Sequence, residues 1–185
     1  MQARKIQANL GADPDAAKVT QYQQICEELH LLIGDERNLV ANAANTAAFL
    51  FQKLPDINWV GFYFRGSEEL ILGPFQGKPA CVRIPFGKGV CGTAAAERRT
   101  IVVPDVEKFP GHIACDEASR SEIVVPLLNW GNLLGVLDID SARLNRFDEE
   151  DRDGIESIAS VFLASLHTDD LPDLSDEAAK TISRD

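Results

Sequence analysis

The stretch from Ile123 to Asp140 constrains the fold more than any other. Ile123 to Trp130 and Leu133 to Asp140 are two runs of strand-forming residues, and only Gly131-Asn132 separates them. Two such runs joined by so short a glycine-containing link form an antiparallel hairpin. A lone hairpin is marginal in water, so further strands and a covered face must come from elsewhere in the chain. Trp59 to Phe64 is a second block of strand formers. Glu68 to Leu72 is expected to pair with it across Arg65-Gly66-Ser67. Ala80 to Ile84 reads as a further strand, and Ile101 to Val103 as a short one stopped by Pro104.

Helical periodicity brackets these strands. Asp13-Pro14 reads as an N-cap with proline at the first helical position. Val19, Tyr22, Ile25, Cys26, Leu29 and Leu32 then recur at helical spacing until Gly34 ends the helix. A second helix is expected after Asp35, carrying Leu39, Val40, Ala43, Ala47, Phe49 and Leu50, and stopping before Pro55. Lys88 to Gly92 turns into a short alanine-rich helix that ends near Arg98. Phe147-Asp148 caps a last helix with Ile155, Ile158, Ala159, Phe162 and Leu166 on one face. Residues 104–121 form a long connection with a helical turn, and long loops in compact domains are usually functional. The expected class is α+β: an antiparallel sheet of about six strands, helices on one face and a loop-built pocket on the other.

At 185 residues the chain is long enough for one domain with its own core. The expected division is a frayed N-terminus over 1–12, a single domain over 13–167, and an acidic, mobile tail over 168–185. The formal net charge is −11, which repels phosphate, so nucleic acid and anionic membrane are poor partners. No run approaches the ~20 apolar residues of a membrane span. The N-terminus lacks the continuous apolar stretch of a secretory signal. The expected compartment is the cytoplasm, where thiols stay reduced unless they do redox work.

The chemistry-bearing residues are thiols and acids. Cys81, Cys91 and Cys115 stand ten and twenty-four residues apart, two of them close to glycine. Glu122, Asp138 and Asp140 follow. Asp138 and Asp140 are two apart on a strand and so project to one face, as do Trp59 and Tyr63. Thiols that share a pocket with carboxyl groups point to redox chemistry on a small molecule.

The WVGFYF strand, the GKGVCGTA turn, the VPDV corner and the VPL…GVLDID hairpin together resemble a GAF domain. NWVGFY, LGPFQGKPACVRIPFGKGVCGTA, GHIACDEASRSEIVVPL and GVLDIDS are similar to the free methionine-(R)-sulfoxide reductases, a GAF-fold enzyme family, over about Asn38 to Phe162. The resemblance implies reduction of the free amino acid's R sulfoxide by a homodimer that needs no bound cofactor. A thioredoxin-like dithiol would be the external reductant. It implies that Cys115 is the catalytic cysteine and Cys81 the usual resolving one, with Cys91 resolving or auxiliary. Glu122, Asp138 and Asp140 would be the acids of the substrate site, and Trp59 and Tyr63 the aromatics around the methyl group. Cys26 has no place in the pattern.

Thiol-dependent sulfoxide reduction needs an attacking thiolate, a proton donor, a resolving thiol and an external dithiol. A crowd of carboxyls in a poorly solvated pocket favours holding a proton, so Glu122 or Asp140 is expected to be protonated and to donate to the sulfoxide oxygen. His112, three residues before Cys115, could assist. Plainer roles compete at several positions. Cys26 reads as a small buried hydrophobe. Trp59 and Tyr63 could be core, and Asp138 and Asp140 a strand end turning to solvent. Gly89 and Gly92 are turn residues, since no Lys-Ser/Thr follows them as a phosphate loop requires. The acids at 148–153 meet a helix dipole. A GAF module that senses a small molecule or redox state without turnover is the alternative function. No metal site is expected, because no CxxC or His pair stands at ligand spacing.

Overall fold

The computed structural model of the chain describes residues 14–112 and 116–166. The 1–12 and 168–185 segments of the expected division lie outside them. Six strands form one antiparallel sheet: β1 Trp59–Arg65, β2 Glu69–Gln76, β3 Arg83–Pro85, β4 Ile101–Val103, β5 Ser121–Asn129 and β6 Asn132–Ser141. Their order across the sheet is β3-β2-β1-β6-β5-β4. The helices are α1 Pro14–Ile33, α2 Leu39–Lys53, α3 Gly89–Glu97 and α4 Glu149–Ala164, and a 3₁₀ turn covers Val106–Lys108 in the long connection.

The sheet is apolar on both faces. Val60 and Phe62 of β1, Leu137 and Ile139 of β6, and Ile123, Val125 and Leu127 of β5 point to the side covered by α1, α2 and α4. There Phe62 meets Phe162 with ring centroids 4.6 Å apart. Burying each large apolar side chain contributes roughly 1.5–3 kcal/mol, so this face carries most of the stability. The opposite face holds Trp59, Tyr63, Leu70, Val124 and Val136 under α3, whose Val90, Ala94 and Ala95 close over them. Three helices therefore take the expected single face, and α3 sits on the pocket side.

Local chemistry shifts several expected boundaries. The β5–β6 turn is Trp130-Gly131, one residue earlier than Gly131-Asn132, because Asn129 pairs directly with Asn132. Both turn residues have positive φ, 50° and 79°, the requirement of a two-residue turn of the primed type. The second helix starts at Leu39, not after Asp35. The Glu36 carboxylate accepts the backbone N–H groups of Arg37 and Asn38, each at 2.8 Å. Asn38 then caps the helix by accepting from Ala41 at 3.0 Å. The third strand is Arg83–Pro85 and not Ala80 to Ile84. Ala80 lines a cavity and Cys81 is held in a disulfide, so that segment serves the pocket. On α1 the buried stripe is Tyr22, Ile25, Leu29 and Ile33. Val19 and Leu32 are about half exposed, and Ile33 takes the inward position assigned to Leu32.

One buried acid ties the layers together. Asp148 caps α4 and forms a reciprocal capping box with Asp151. Asp151 stands in the first turn of α4, as expected of an acid meeting the helix dipole, and does more: it is fully buried and accepts from Tyr22 Oη at 2.7 Å, Lys18 Nζ at 2.7 Å and Arg146 Nη1 at 3.0 Å. Those contacts fasten α1 to the start of α4.

Candidate active site

Strand register assembles the site. Trp59 pairs with Asp140 and Gly61 with Asp138 across β1–β6. Glu122 pairs with Asp140 across β5–β6. Directly paired residues project to the same side of a sheet. Glu122, Asp138 and Asp140 therefore converge on the pocket face beside Trp59 and Tyr63. Gly61 lies between the two aromatics, where a Cβ would come within 2.4 Å of Phe75 Cβ and 2.6 Å of the Trp59 ring. Its bare backbone lets Trp59 stack on Phe75 at 5.4 Å and on Tyr63 at 5.9 Å. Trp59 Nε1 donates to the carbonyl of Lys78 at 3.1 Å, which fixes the indole as a wall.

The opposite wall comes from α3 and the long connection. The turn at Gly87 to Gly89 starts α3 so that Cys91 points at the sheet, its Sγ 3.9 Å from Glu122 Oε1. His112 Nε2 lies 3.8 Å from Glu122 Oε2. Asp116 receives Lys78 Nζ at 3.0 Å and the Ala118 backbone N–H at 2.9 Å. Asn58 donates to both Asp116, at 3.3 Å, and Ser119, at 3.0 Å, linking the loop to the start of β1. These groups enclose a cavity of ≈ 30 Å³. No lysine or arginine is among the described residues that line it.

Burial without a counter-cation sets the electrostatics. Burial pushes the Asp138 carboxyl up to about 7. Burial, then the nearby Asp138 and Asp140 charges, holds Glu122 well above the carboxylate range. Asp140 is raised by burial and by Asp138. The Cys91 thiol is raised by burial and by the Asp138 and Glu122 charges, and burial lowers His112. Asp116, at the rim, moves the other way: the Ala118 N–H and Lys78 hold it below the usual range. The inner acids thus hold their protons to higher pH than ordinary carboxyls, and an acid that keeps its proton can donate a hydrogen bond. Asp138 Oδ1 is buried with no hydrogen-bond partner among the described residues. Sγ of Cys91 and one carboxylate oxygen each of Glu122 and Asp138 lie within 4.8 Å of one another, close enough to hold a cation.

Of the residues singled out in the sequence, Trp59, Tyr63, Cys91, Glu122, Asp138 and Asp140 line one cavity. Trp59 and Tyr63 are at once cavity wall and core, 3% and 1% exposed. Cys81 is disulfide-bonded and packs partly buried against the core of the pocket face. Cys26 and Cys91 are the free thiols among the described residues. Cys115 lies outside the described residues. The inward strand end excludes the solvated reading of Asp138, which is 6% exposed. Sequence reasoning missed Lys78, Asn58 and Ser119 as partners of the loop. Ordinary polar residues in turns carry no periodic signal, and only the position of Asn58 beside Trp59 hinted at a role.

A GAF domain model matches residues 19–166. The chain is 51% identical to Protein YtsP of Bacillus subtilis over 151 residues, which cover 80% of this chain and 93% of the relative. It is 48% identical to the free methionine-R-sulfoxide reductase of Escherichia coli over 149 residues, 80% of this chain and 90% of that one. The free methionine-R-sulfoxide reductase of Neisseria meningitidis, solved in complex with its substrate, superposes with a TM-score of 0.77 at 47% identity, covering 80% of this chain and 89% of that one. With an aromatic wall and three acids on one sheet face, two of them buried, and a thiol facing them from α3, the chain belongs to the free methionine-(R)-sulfoxide reductases of the GAF-domain family.

Proposed function

We propose that this chain reduces free methionine-(R)-sulfoxide to methionine, with Cys115 as the attacking thiol. The observation that carries this reading is the proton-holding cluster of Glu122, Asp138 and Asp140 against the Trp59–Tyr63 wall. Such a pocket suits a thioether methyl on the aromatic side and an S–O oxygen on the acid side. In the first step the Cys115 thiolate attacks the sulfoxide sulfur while Glu122 or Asp140 donates a proton to its oxygen. Oxygen leaves on the cysteine as a sulfenic acid, and methionine is released. Cys81 then attacks the sulfenic sulfur, a disulfide forms and water leaves. Support for that pair is that Cys81 is disulfide-bonded while Cys26 and Cys91 are free, and Cys115 is the chain's remaining cysteine.

An external dithiol of thioredoxin type exchanges with the disulfide and returns both thiols. No bound cofactor takes part, the assembly is a homodimer and the setting is the cytoplasm. No helix among the described residues is long and apolar enough to cross a membrane. Asp116, held ionised at the rim, suits the substrate ammonium. Cys91 serves as a reserve resolving thiol.

The test is to incubate reduced protein with resolved R and S diastereomers of free methionine sulfoxide and dithiothreitol, and to measure methionine. Turnover of R alone, lost in Cys115→Ser, is expected. No turnover with either diastereomer favours a GAF module that binds without reacting.

A further inference from the structure

We propose that the reduced protein carries a metal site in this pocket: Cys91 Sγ with one carboxylate oxygen each of Glu122 and Asp138 binds a thiophilic divalent cation, Zn²⁺ or Cd²⁺. The three ligand atoms lie within 4.8 Å of one another, and all three residues are buried. Around tetrahedral zinc, a thiolate sulfur at about 2.3 Å and a carboxylate oxygen at about 2.1 Å stand roughly 3.6 Å apart. Cys91 Sγ and Glu122 Oε1 are 3.9 Å apart already, so small side-chain movements close the site. A second observation is independent of that geometry: Asp138 Oδ1 is buried and has no partner among the described residues.

The surroundings lack the charge that a cation would supply. Four acids and a thiol line the cavity, with no lysine or arginine among its described lining residues, and the nearby Lys78 pairs with Asp116. One thiolate and two carboxylates form a mixed soft and hard donor set, which zinc and cadmium accept and magnesium does not. The fourth position faces the cavity, where His112 borders it through Glu122. Such an open position is typical of exchangeable zinc sites and not of closed structural ones. Binding forms one metal–sulfur and two metal–oxygen bonds and sends the thiol proton, with the protons held by the Glu122 and Asp138 carboxyls, to solvent. Sequence spacing hides the site, since its ligands come from α3, β5 and β6.

The site takes up Glu122, one of the two acids assigned to the sulfoxide oxygen, and fills the pocket beside the other, so the cation is a reversible inhibitor; that consequence alone rests on the proposed activity. The test titrates Cd²⁺ into full-length protein kept reduced by a phosphine, because dithiols themselves bind cadmium. The readout is thiolate-to-cadmium charge-transfer absorption. One equivalent is expected, with the band lost in Cys91→Ser and kept in Cys26→Ser and Cys115→Ser. Asp138→Asn is expected to weaken binding by more than about 10-fold, the least that loss of a mere supporting contact costs. A band that survives Cys91→Ser, or an affinity unmoved by Asp138→Asn in folded protein, overturns the site. Should Cys91→Ser not fold, as judged by circular dichroism, Asp138→Asn decides alone. In parallel, Zn²⁺ is expected to stop turnover and a chelator to restore it. A cadmium site without turnover sinks the reductase reading and leaves the metal site standing; turnover without a cadmium site does the reverse.

Discussion

Asp138→Asn is expected to flatten the pH dependence of folding stability. Burial raises the Asp138 carboxyl from 3.8 to about 7. A carboxyl whose folded value is raised binds its proton more tightly in the native state. Its contribution is fully present below 3.8 and is lost as pH rises through about 7. The shift is about 3 units at about 1.4 kcal/mol each, so the full loss is on the order of 4 kcal/mol. Integrating the two titrations puts roughly 3 kcal/mol of that between about pH 5 and about pH 8. The isosteric amide removes this ionisation and also removes a charge that raises Glu122 and Asp140. Urea denaturation of wild type and variant at several pH values reads the difference. The wild type is expected to lose about 3 kcal/mol more than the variant over that window, or roughly 6–12 °C in Tm for a chain of this size. The slope is the informative quantity, because a buried donor stranded by the amide shifts both ends equally. Parallel stability curves would refute a buried, proton-holding Asp138.

Three further outcomes follow from the same geometry. Glu122→Gln keeps shape and loses the proton donor, so turnover should drop by about 10²–10⁴; in the wild type, kcat should fall as pH rises through the elevated value of that acid, and a variant retaining this limb would assign it elsewhere. Gly61→Ala forces a Cβ to within 2.4 Å of Phe75 Cβ, so overpacking should cost about 1–3 kcal/mol in urea denaturation and raise KM by displacing Trp59. Asp151→Ala leaves the nearly buried Arg146 and the Lys18 ammonium without their shared carboxylate, and thermal unfolding should show a loss of about 3–5 kcal/mol, with no change in the pH profile of turnover in the folded fraction.

Alternation and turn chemistry made the strands and their faces legible. The i, i+2 rule alone put Asp138 with Asp140, and the four-residue step put Trp59 with Tyr63. Ile155, Ile158, Ala159, Phe162 and Leu166 were readable as one buried helix face, all 9% exposed or less. Register was not readable. That Glu122 stands opposite Asp140 depends on the turn at Trp130-Gly131 together with the irregularity between Leu127 and Leu128; a one-residue slip in that pairing puts Glu122 opposite Ile139, on the other face. The Asp151 knot was equally hidden, because Lys18 and Tyr22 reach it from the other end of the chain, 133 and 129 residues away, and no local pattern marks so distant a contact. Cys81 shows the same limit: β propensity extended a strand over it, whereas regular pairing with β2 covers only Arg83–Pro85, Cys81 is held in a disulfide and Ala80 lines the cavity.

The two acid environments in this protein are opposite solutions to burying a carboxylate. At Asp151 the fold surrounds the charge with Lys18, Arg146, Tyr22 and the N-terminus of α4, and the result is a structural fastening. At Glu122, Asp138 and Asp140 it surrounds three acids with aromatic rings, a thiol and one another, and provides no cation on the cavity wall among the described residues. The second arrangement raises the acids, and it does so at a cost in stability that packing on the helix face has to offset. A chain selected for stability alone would place an arginine or an apolar residue at one of these positions. Local disagreement of this kind, kept in the middle of a well-paired sheet, is the physical mark of a reacting site. Restoring a cation there is therefore a direct probe: Val124, which pairs with Asp138 across β5–β6 on the same face, replaced by lysine, should relax the raised acids and abolish proton donation in whatever fraction folds. Turnover that persists with its alkaline limit unchanged would mean that the proton comes from somewhere other than this cluster.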